Sequence, residues 1–300
     1  MPDHWTQQPE RSNPLMLRLI ALIARYLGRP VARLLLWPIV AYYVSTAPAA
    51  RRASRAYLAR VLDRPVTWRD LFRHFHAFAA VTLDRVFLFL GDHSSLDIRV
   101  HGEQAVQHLA ESGSGSLMLV GHVGSFDVMR AAADISEVPN LNVRILMARR
   151  HGAMMQRVLE SLNPEFSRSI IDTSDRDVDL ILRLRDSVAA GDMIGIMGDR
   201  LHQPGERSVA VELLGGRARL PASPWLMAAL LKVPVIQCVG LYRGGNRYDL
   251  YIEVLADRVD APRKRRMEAV SGYAQDYARR LEHFAREAPY NWFNFYDFWE

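Results

Sequence analysis

The stretch "LMLVGHVGSFDVMRAA", residues 117–132, joins an apolar run to a helical pattern through two glycines. A short apolar run that ends at a glycine is typical of a buried strand, and the apolar spacing after Ser125 is typical of an amphipathic helix. A strand that leads directly into a helix is the first half of a β-α-β unit. The stretch therefore predicts a buried strand with His122 at its carboxyl end, where ligands bind in open α/β sheets.

The same alternation continues outward from this stretch, from residue 97 onward. Six further apolar runs have the length and composition of strands: "DIRVHG", "NVRILMA", "RSIID", "MIGIMGD", "VPVIQCVGLY" and "RYDLYIEVL". Helical patterns such as "EQAVQHLAESG" and "RDVDLILRLRDSVAAG" lie between most of them. The pattern predicts an α/β fold in which a largely parallel central sheet is flanked by helices.

The composition, with 49% hydrophobic and 24% charged residues, is that of a folded protein with a substantial core. Cys238 is the only cysteine, so no internal disulfide can form, and its apolar surroundings predict a buried side chain. The formal charge of +5 is unevenly distributed, because residues 11–62 contain nine arginines and no acidic residue. This segment is expected to prefer an anionic surface.

Residues 15–48 are predicted to anchor the protein to a membrane or to lie in its interface, because they are strongly apolar. The arginines within this segment would share one face of a helix; they are Arg18, Arg25, Arg29 and Arg33. The uncharged run over residues 34–50 is at the lower limit of the length that spans a bilayer. The alternative is a helical hairpin that packs on the protein's own core.

This reading divides the chain into two parts. Residues 1–50 form the anchor, and residues 51–300 form the α/β domain. The domain begins with a helical lead-in over residues 51–90, in which Thr67 is a predicted helix cap. It ends with a helix and an aromatic tail over residues 263–300, including "YNWFNFYDFW". The tail is interpreted either as a cover for a sheet edge or as an interfacial aromatic belt.

His122 has the surroundings expected of a general base. Asp127 falls in the first turn of the predicted helix, from which its carboxylate could reach back to the imidazole. The pair would supply a base and an orienting group but no nucleophile. A second strand end, "MIGIMGDR", places Asp199 and Arg200 where they could face the same side of the sheet. The alternative is that His122 is a structural histidine.

At this point the residues show a resemblance. "GHVGSFD" resembles the H-x4-D/E motif of glycerolipid and lysophospholipid acyltransferases, and more closely that of the bacterial lipid A late acyltransferase family. The block "MGDRLHQPGERSVAVELLGGRARLPASPWLMAALLKVPVIQC" is similar to that family's acidic strand end, basic loop, apolar strand and proline-flanked turn. The N-terminal apolar segment also matches, so the resemblance covers nearly the whole chain.

The resemblance implies transfer of a fatty acyl group from a thioester, on acyl carrier protein or coenzyme A, to a hydroxyl of a membrane lipid. His122 would be the base, with Asp127 as its partner. Either Arg149 or Arg150 resembles the basic block after the third strand, and the choice between them stays open. With Asp199 and Arg200 they form the predicted substrate-binding set. The thioester is a co-substrate, and neither a cofactor nor a metal is expected.

The acceptor is less well defined, because "RLPASP", residues 219–224, replaces the phosphate-binding F-P-E-G block of the glycerolipid branch. This favours a lipid A-like acceptor or a specialised lipid, since the aromatic tail resembles a subgroup found with specialised lipid or pigment pathways. The expected location is the cytoplasmic face of the inner membrane. One short basic run, "PRKRR", does not indicate a nucleic-acid partner. The alternative function is a non-catalytic lipid-binding or scaffolding protein of the same fold.

Overall fold

A computed structural model describes most residues of the chain. They are 14–89, 91–92, 94–134, 136, 138, 141–147, 169–173, 178–201 and 205–299, with the side chains of 14–27 and 178 outside the description. The described residues form a mixed α/β structure in which a mostly parallel sheet is flanked by helices. The predicted fold class is therefore confirmed for the sheet and its helices.

Three helices precede the sheet: α1 (Pro14–Thr46), α2 (Pro48–Leu62) and α3 (Trp68–Phe89). The first is interrupted at Gly28, where φ is +76°, a conformation that glycine adopts without strain. The third begins with reciprocal hydrogen bonds between Thr67 and Asp70. The backbone N–H of Thr67 donates to the Asp70 carboxylate, and the backbone N–H of Asp70 donates to the Thr67 hydroxyl. The helix cap predicted at Thr67 is thus confirmed.

The strands, in chain order, are β1 (Asp97–His101), β2 (Ser116–Val120), β3 (Val143–Met147), β4 (Ile170–Asp172), β5 (Met193–Met197), β6 (Ser208–Leu213), β7 (Gly216–Pro221), β8 (Val235–Gly244) and β9 (Arg247–Ala256). Within the described residues, seven of them form one sheet in the order β1-β9-β8-β2-β5-β3-β4. Five run in one direction, while β1 and β9 run in the other. All seven predicted strands are present in this sheet.

Helices cover both faces of the sheet. They are α4 (Glu103–Glu111), α5 (Phe126–Asp134), α6 (Val178–Ala189), α7 (Ser223–Leu231) and α8 (Arg266–Glu287). On one face, Met118 of β2 belongs to a core cluster with residues of α4 and α5. On the other, Leu117 and Leu119 belong to a cluster with residues of α6, α7 and α8. Because successive strand residues point to opposite faces, β2 is buried on both sides, which explains its unbroken apolar run.

The β6–β7 hairpin was missed by the sequence analysis. Its two strands pair antiparallel in register from Ser208 with Pro221 to Leu213 with Gly216. Leu214 and Gly215 form the two-residue turn, and both have positive φ values, at 51° and 67°. Such turns usually have asparagine or aspartate at the first position, and Leu214 does not provide that sequence signal for a hairpin.

The second half of α1 packs along α3, as the alternative interpretation of the N-terminal segment predicted. Ala32 and Leu36 are buried in one cluster with residues of α3. Arg29 and Arg33 also point inward, since both guanidinium groups contact the buried carboxylate of Asp84. Among the described residues, no helix combines the length and hydropathy needed to cross a membrane. A spanning anchor over residues 15–48 is therefore not confirmed.

Candidate active site

The carboxyl ends of β2 and β5 meet at His122. The two strands are parallel neighbours, and Val120 lies level with Met197. His122 and Asp199 each come two residues later, so the sheet itself brings them together. Nδ1 of His122 lies 2.9 Å from Oδ1 of Asp199, and the backbone N–H of His122 donates to Oδ2 at 2.8 Å. The two strand ends predicted to share a crevice thus form one site.

The charge of Asp199 determines which nitrogen of the His122 imidazole carries the proton. Its side chain is fully buried, which opposes ionisation, but His122 and Arg200 hold the pKa of the carboxyl below its ordinary value. The carboxylate is therefore ionised at neutral pH, and it accepts a hydrogen bond from a protonated Nδ1 of His122. In the neutral imidazole the lone pair then resides on Nε2.

Asp127 has a different partner from the one predicted. It is buried in the first turn of α5, as expected, but its Oδ2 accepts a hydrogen bond from Nε of Arg85 at 2.6 Å. Arg85 belongs to α3, and its guanidinium also lies over the ring of Phe126. The carboxylate on Nδ1 of His122 belongs instead to Asp199. The predicted orienting contact is corrected accordingly, because α5 presents Asp127 to α3, whereas the pairing of β2 with β5 presents Asp199 to the imidazole.

The loop after β2 is held close to β8. Gly124 has φ +72°, and a Cβ at this position would lie 2.0 Å from the carbonyl oxygen of Gly240. The next residue, Ser125, donates its backbone N–H to that same carbonyl at 2.8 Å. Only glycine allows this approach, which explains the glycine two residues after His122.

The aromatic tail contacts the other side of this loop. Trp292 forms an antiparallel bridge with Val123, and the backbone N–H of Phe293 donates to the carbonyl of His122 at 2.8 Å. The backbone carbonyl of Asn291 accepts a hydrogen bond from the backbone N–H of Gly124 at 2.7 Å. The sequence analysis did not predict these contacts. Its sheet-edge interpretation holds further along the tail, where a bridge joins Trp299 to Ala218 of β7.

His74 fixes the tail to α3. Burial lowers the pKa of His74 to about 4, so its ring is neutral at pH 7. Nε2 lies 2.8 Å from the carbonyl oxygen of Trp292, which can only accept, so Nε2 carries the proton. Nδ1 then accepts from the hydroxyl of Ser54 at 2.7 Å. This histidine is structural, and its contacts hold Trp292 next to the site.

The remaining predicted residues are placed as follows. Arg200 is buried, donates to the carbonyl of Phe293 at 3.3 Å and lies over the ring of Tyr296. Its guanidinium thus contacts the tail, and its charge also acts on Asp199; the prediction that it positions an acceptor stays a prediction. Arg149 and Arg150 lie outside the described residues. In the part of the chain that the structure describes, no three His, Cys, Asp or Glu side chains form a potential metal site.

The geometry defines a class of protein: an α/β protein with an imidazole–carboxylate pair at the carboxyl edge of its sheet. Residues 22–300 match the family model described as bacterial lipid A biosynthesis acyltransferase. The chain belongs to this family. A search of curated proteins gave no match. The resemblance inferred from "GHVGSFD" and the downstream block is thus confirmed, and the family is one of acyltransferases.

Proposed function

We propose that this protein transfers a fatty acyl group from a thioester to a hydroxyl group of a lipid, with His122 as the general base. The supporting observation is the pairing of His122 with the buried carboxylate of Asp199, in a chain that belongs to an acyltransferase family. A base held in one tautomer at a strand end is the arrangement that activates a hydroxyl nucleophile.

In the proposed reaction, Nε2 of His122 takes the proton of the acceptor hydroxyl while its oxygen attacks the thioester carbonyl carbon. The tetrahedral intermediate then expels the thiolate, which receives the proton from the imidazolium. Asp199 accepts the hydrogen bond from Nδ1–H throughout and stabilises the imidazolium. The oxyanion would be stabilised by backbone N–H groups or by a nearby arginine, for which Arg149 and Arg150 are the candidates. Asp127 contributes through its ion pair with Arg85, which fixes α5 against α3.

The donor in this proposal is an acyl thioester of acyl carrier protein or coenzyme A. The acceptor is a lipid A-like or specialised lipid, since the β7–α7 turn carries "RLPASP" and lacks the acidic residue of the glycerol-phosphate enzymes. No other cofactor enters the reaction, because both the bond made and the bond broken belong to the substrates.

The test is to incubate the purified protein with labelled acyl carrier protein, labelled acyl coenzyme A and a panel of membrane lipids. Transfer to a lipid hydroxyl by the wild type and its loss in His122→Ala support the proposal. His108→Ala is the matched control, because His108 is exposed on α4. If the wild type binds the lipids and transfers nothing from either donor, the alternative of a lipid-binding or scaffolding protein is favoured.

We further propose that the protein lies on the cytoplasmic face of the inner membrane, held by the outer face of α1. Leu34, Trp37 and Tyr42 are between 58% and 69% exposed on this helix, although apolar residues of this size are normally buried. The ring of Trp37 contacts the partly exposed ring of Phe72, so the apolar surface continues onto α3. Exposed arginines follow directly in α2, including Arg52 and Arg55. An apolar aromatic face beside basic residues is typical of an interfacial helix on anionic lipids.

Point substitutions test this better than deletion of the helix, because removal of Arg29 and Arg33 would leave Asp84 buried without its ion pairs. Leu34→Ser with Trp37→Ser is expected to reduce sedimentation with anionic vesicles. Leu230→Ser is the control, since Leu230 is 60% exposed on α7. Equal sedimentation of the double variant and the control would contradict the assignment.

A further inference from the structure

We infer that Trp292 is a positioning residue for the reaction: it orients Asp199, and through Asp199 the imidazole of His122. The inference rests on the acyl transfer proposed above. The indole Nε1–H of Trp292 points at Oδ2 of Asp199, at 3.3 Å, within the buried interior. Oδ2 is the same oxygen that accepts the backbone N–H of His122. The indole is therefore a third donor to the carboxylate that holds the base, after the backbone N–H and the Nδ1–H of His122.

Trp292 is itself held from three directions, as a positioning group requires. Its carbonyl accepts from His74, and its backbone pairs with Val123 in the loop of the base. Its ring meets the ring of Tyr57 edge to face, with centroids 5.2 Å apart. With 1% of its surface exposed, the ring has no room to turn. Trp292 thus links the packing of α2 and α3 to the position of the Asp199 carboxylate.

The neighbouring tail residues fix the register of this contact. The side-chain amide of Asn291 makes two hydrogen bonds to the backbone of Tyr242 in β8. Its Nδ2–H donates to the Tyr242 carbonyl, and its Oδ1 accepts from the Tyr242 N–H. Trp292 therefore cannot slide along β8 without breaking two hydrogen bonds. A side chain in a merely space-filling role needs neither a fixed register nor a donor aimed at a buried charge.

Loss of the indole N–H has two expected consequences. The carboxylate becomes free to tilt, so the base is less often aligned with the hydroxyl and kcat falls. With one donor fewer, the negative charge of Asp199 also acts more strongly on the imidazolium. The acid limb of the pH–rate profile, where the imidazole loses its proton, therefore moves to higher pH.

The experiment compares Trp292→Phe with Trp299→Phe. Both changes remove an indole N–H from the same tail and keep a ring, but the N–H of Trp299 donates to the carbonyl of Leu213, in the hairpin. Trp292→Phe is expected to lower kcat roughly 3- to 10-fold, the range of one ordinary hydrogen bond, with little change in KM and with the shifted acid limb. Trp299→Phe is expected to keep the wild-type kcat and pH profile.

A wild-type pH profile and kcat in Trp292→Phe would overturn the inference. The same holds if both variants lose rate equally, since the effect would then be structural. Should Trp292→Phe fail to fold, benzothienylalanine incorporated at position 292 keeps the shape of the indole and lacks only its N–H. Absence of transfer in the wild type would instead contradict the proposed function. In that case the titration of His122, followed by ¹⁵N NMR in wild type and variant, still tests the contact.

Discussion

Two buried aspartates differ in their relation to His122: one is close to it in sequence, and the other is hydrogen-bonded to it in the structure. Asp127 is five residues along the chain from His122 and pairs with Arg85 of α3. Asp199 is 77 residues away and bonds Nδ1 directly. The parallel neighbours β2 and β5 bring His122 and Asp199 to one edge of the sheet. Helix α5, in contrast, directs Asp127 toward Arg85 of α3. In this site, strand register and not proximity in sequence decides which carboxylate contacts the imidazole.

The largest effect is expected from His122 itself. His122→Ala should lower the transfer rate about 10²- to 10⁴-fold, the usual contribution of a positioned general base. In the wild type the rate should rise with pH as the imidazole loses its proton and then level off. Initial rates across pH, with circular dichroism to verify folding, check both points. A folded variant that keeps more than about a tenth of the rate would exclude His122 as the base.

Asp199→Asn should come next, with a loss of about 10²-fold or more. The amide keeps the shape of the side chain but no longer stabilises the imidazolium, and it permits the wrong tautomer. Because the pKa of Asp199 lies below its ordinary value, the wild-type carboxylate stays ionised above about pH 4. The variant's loss of kcat should therefore persist across the neutral range. A rate within threefold of the wild type would assign the pair to structure.

Asp127→Asn should cost less than about tenfold in rate, because it acts through Arg85. The broken ion pair should lower the free energy of unfolding by about 1 to 3 kcal/mol, measured by urea denaturation. Arg85→Gln serves as the companion variant and should give a similar result. A loss in Asp127→Asn that exceeds the loss in Asp199→Asn would reverse the comparison and place Asp127 on the imidazole during turnover.

Arg200→Ala should have the smallest effect, a change of about threefold in the KM for the acceptor with kcat nearly constant. The guanidinium contacts the tail through Phe293 and Tyr296, so its loss should loosen the wall of the site more than the chemistry. Steady-state kinetics with varied acceptor concentration measure this. A fall in kcat as large as that of Asp199→Asn would give Arg200 a direct part in the reaction.

The sequence predicted those parts of the molecule whose signal is local. The strands of the sheet follow from apolar periodicity, and the cap at Thr67 follows from a threonine placed directly before a helical pattern. The sequence could place His122 and Asp199 at strand ends. It could not predict their hydrogen bond, because a single sequence does not reveal which strands are neighbours in the sheet. The hairpin turn at Leu214 uses a residue atypical of its backbone conformation. The role of the tail depends on contacts with β2, α3 and β8 that no local pattern encodes.

The long range of these contacts also affects how the protein folds. The bond between His74 and Trp292 spans 218 positions, and the indole contact with Asp199 spans 93. Contacts this distant in sequence carry a high cost of loop closure and form late. We therefore expect activity to return after the sheet during refolding, and amide protons of the tail to exchange through partial opening rather than through complete unfolding. The catalytic geometry would be the last part of the native structure to form and the first to be lost.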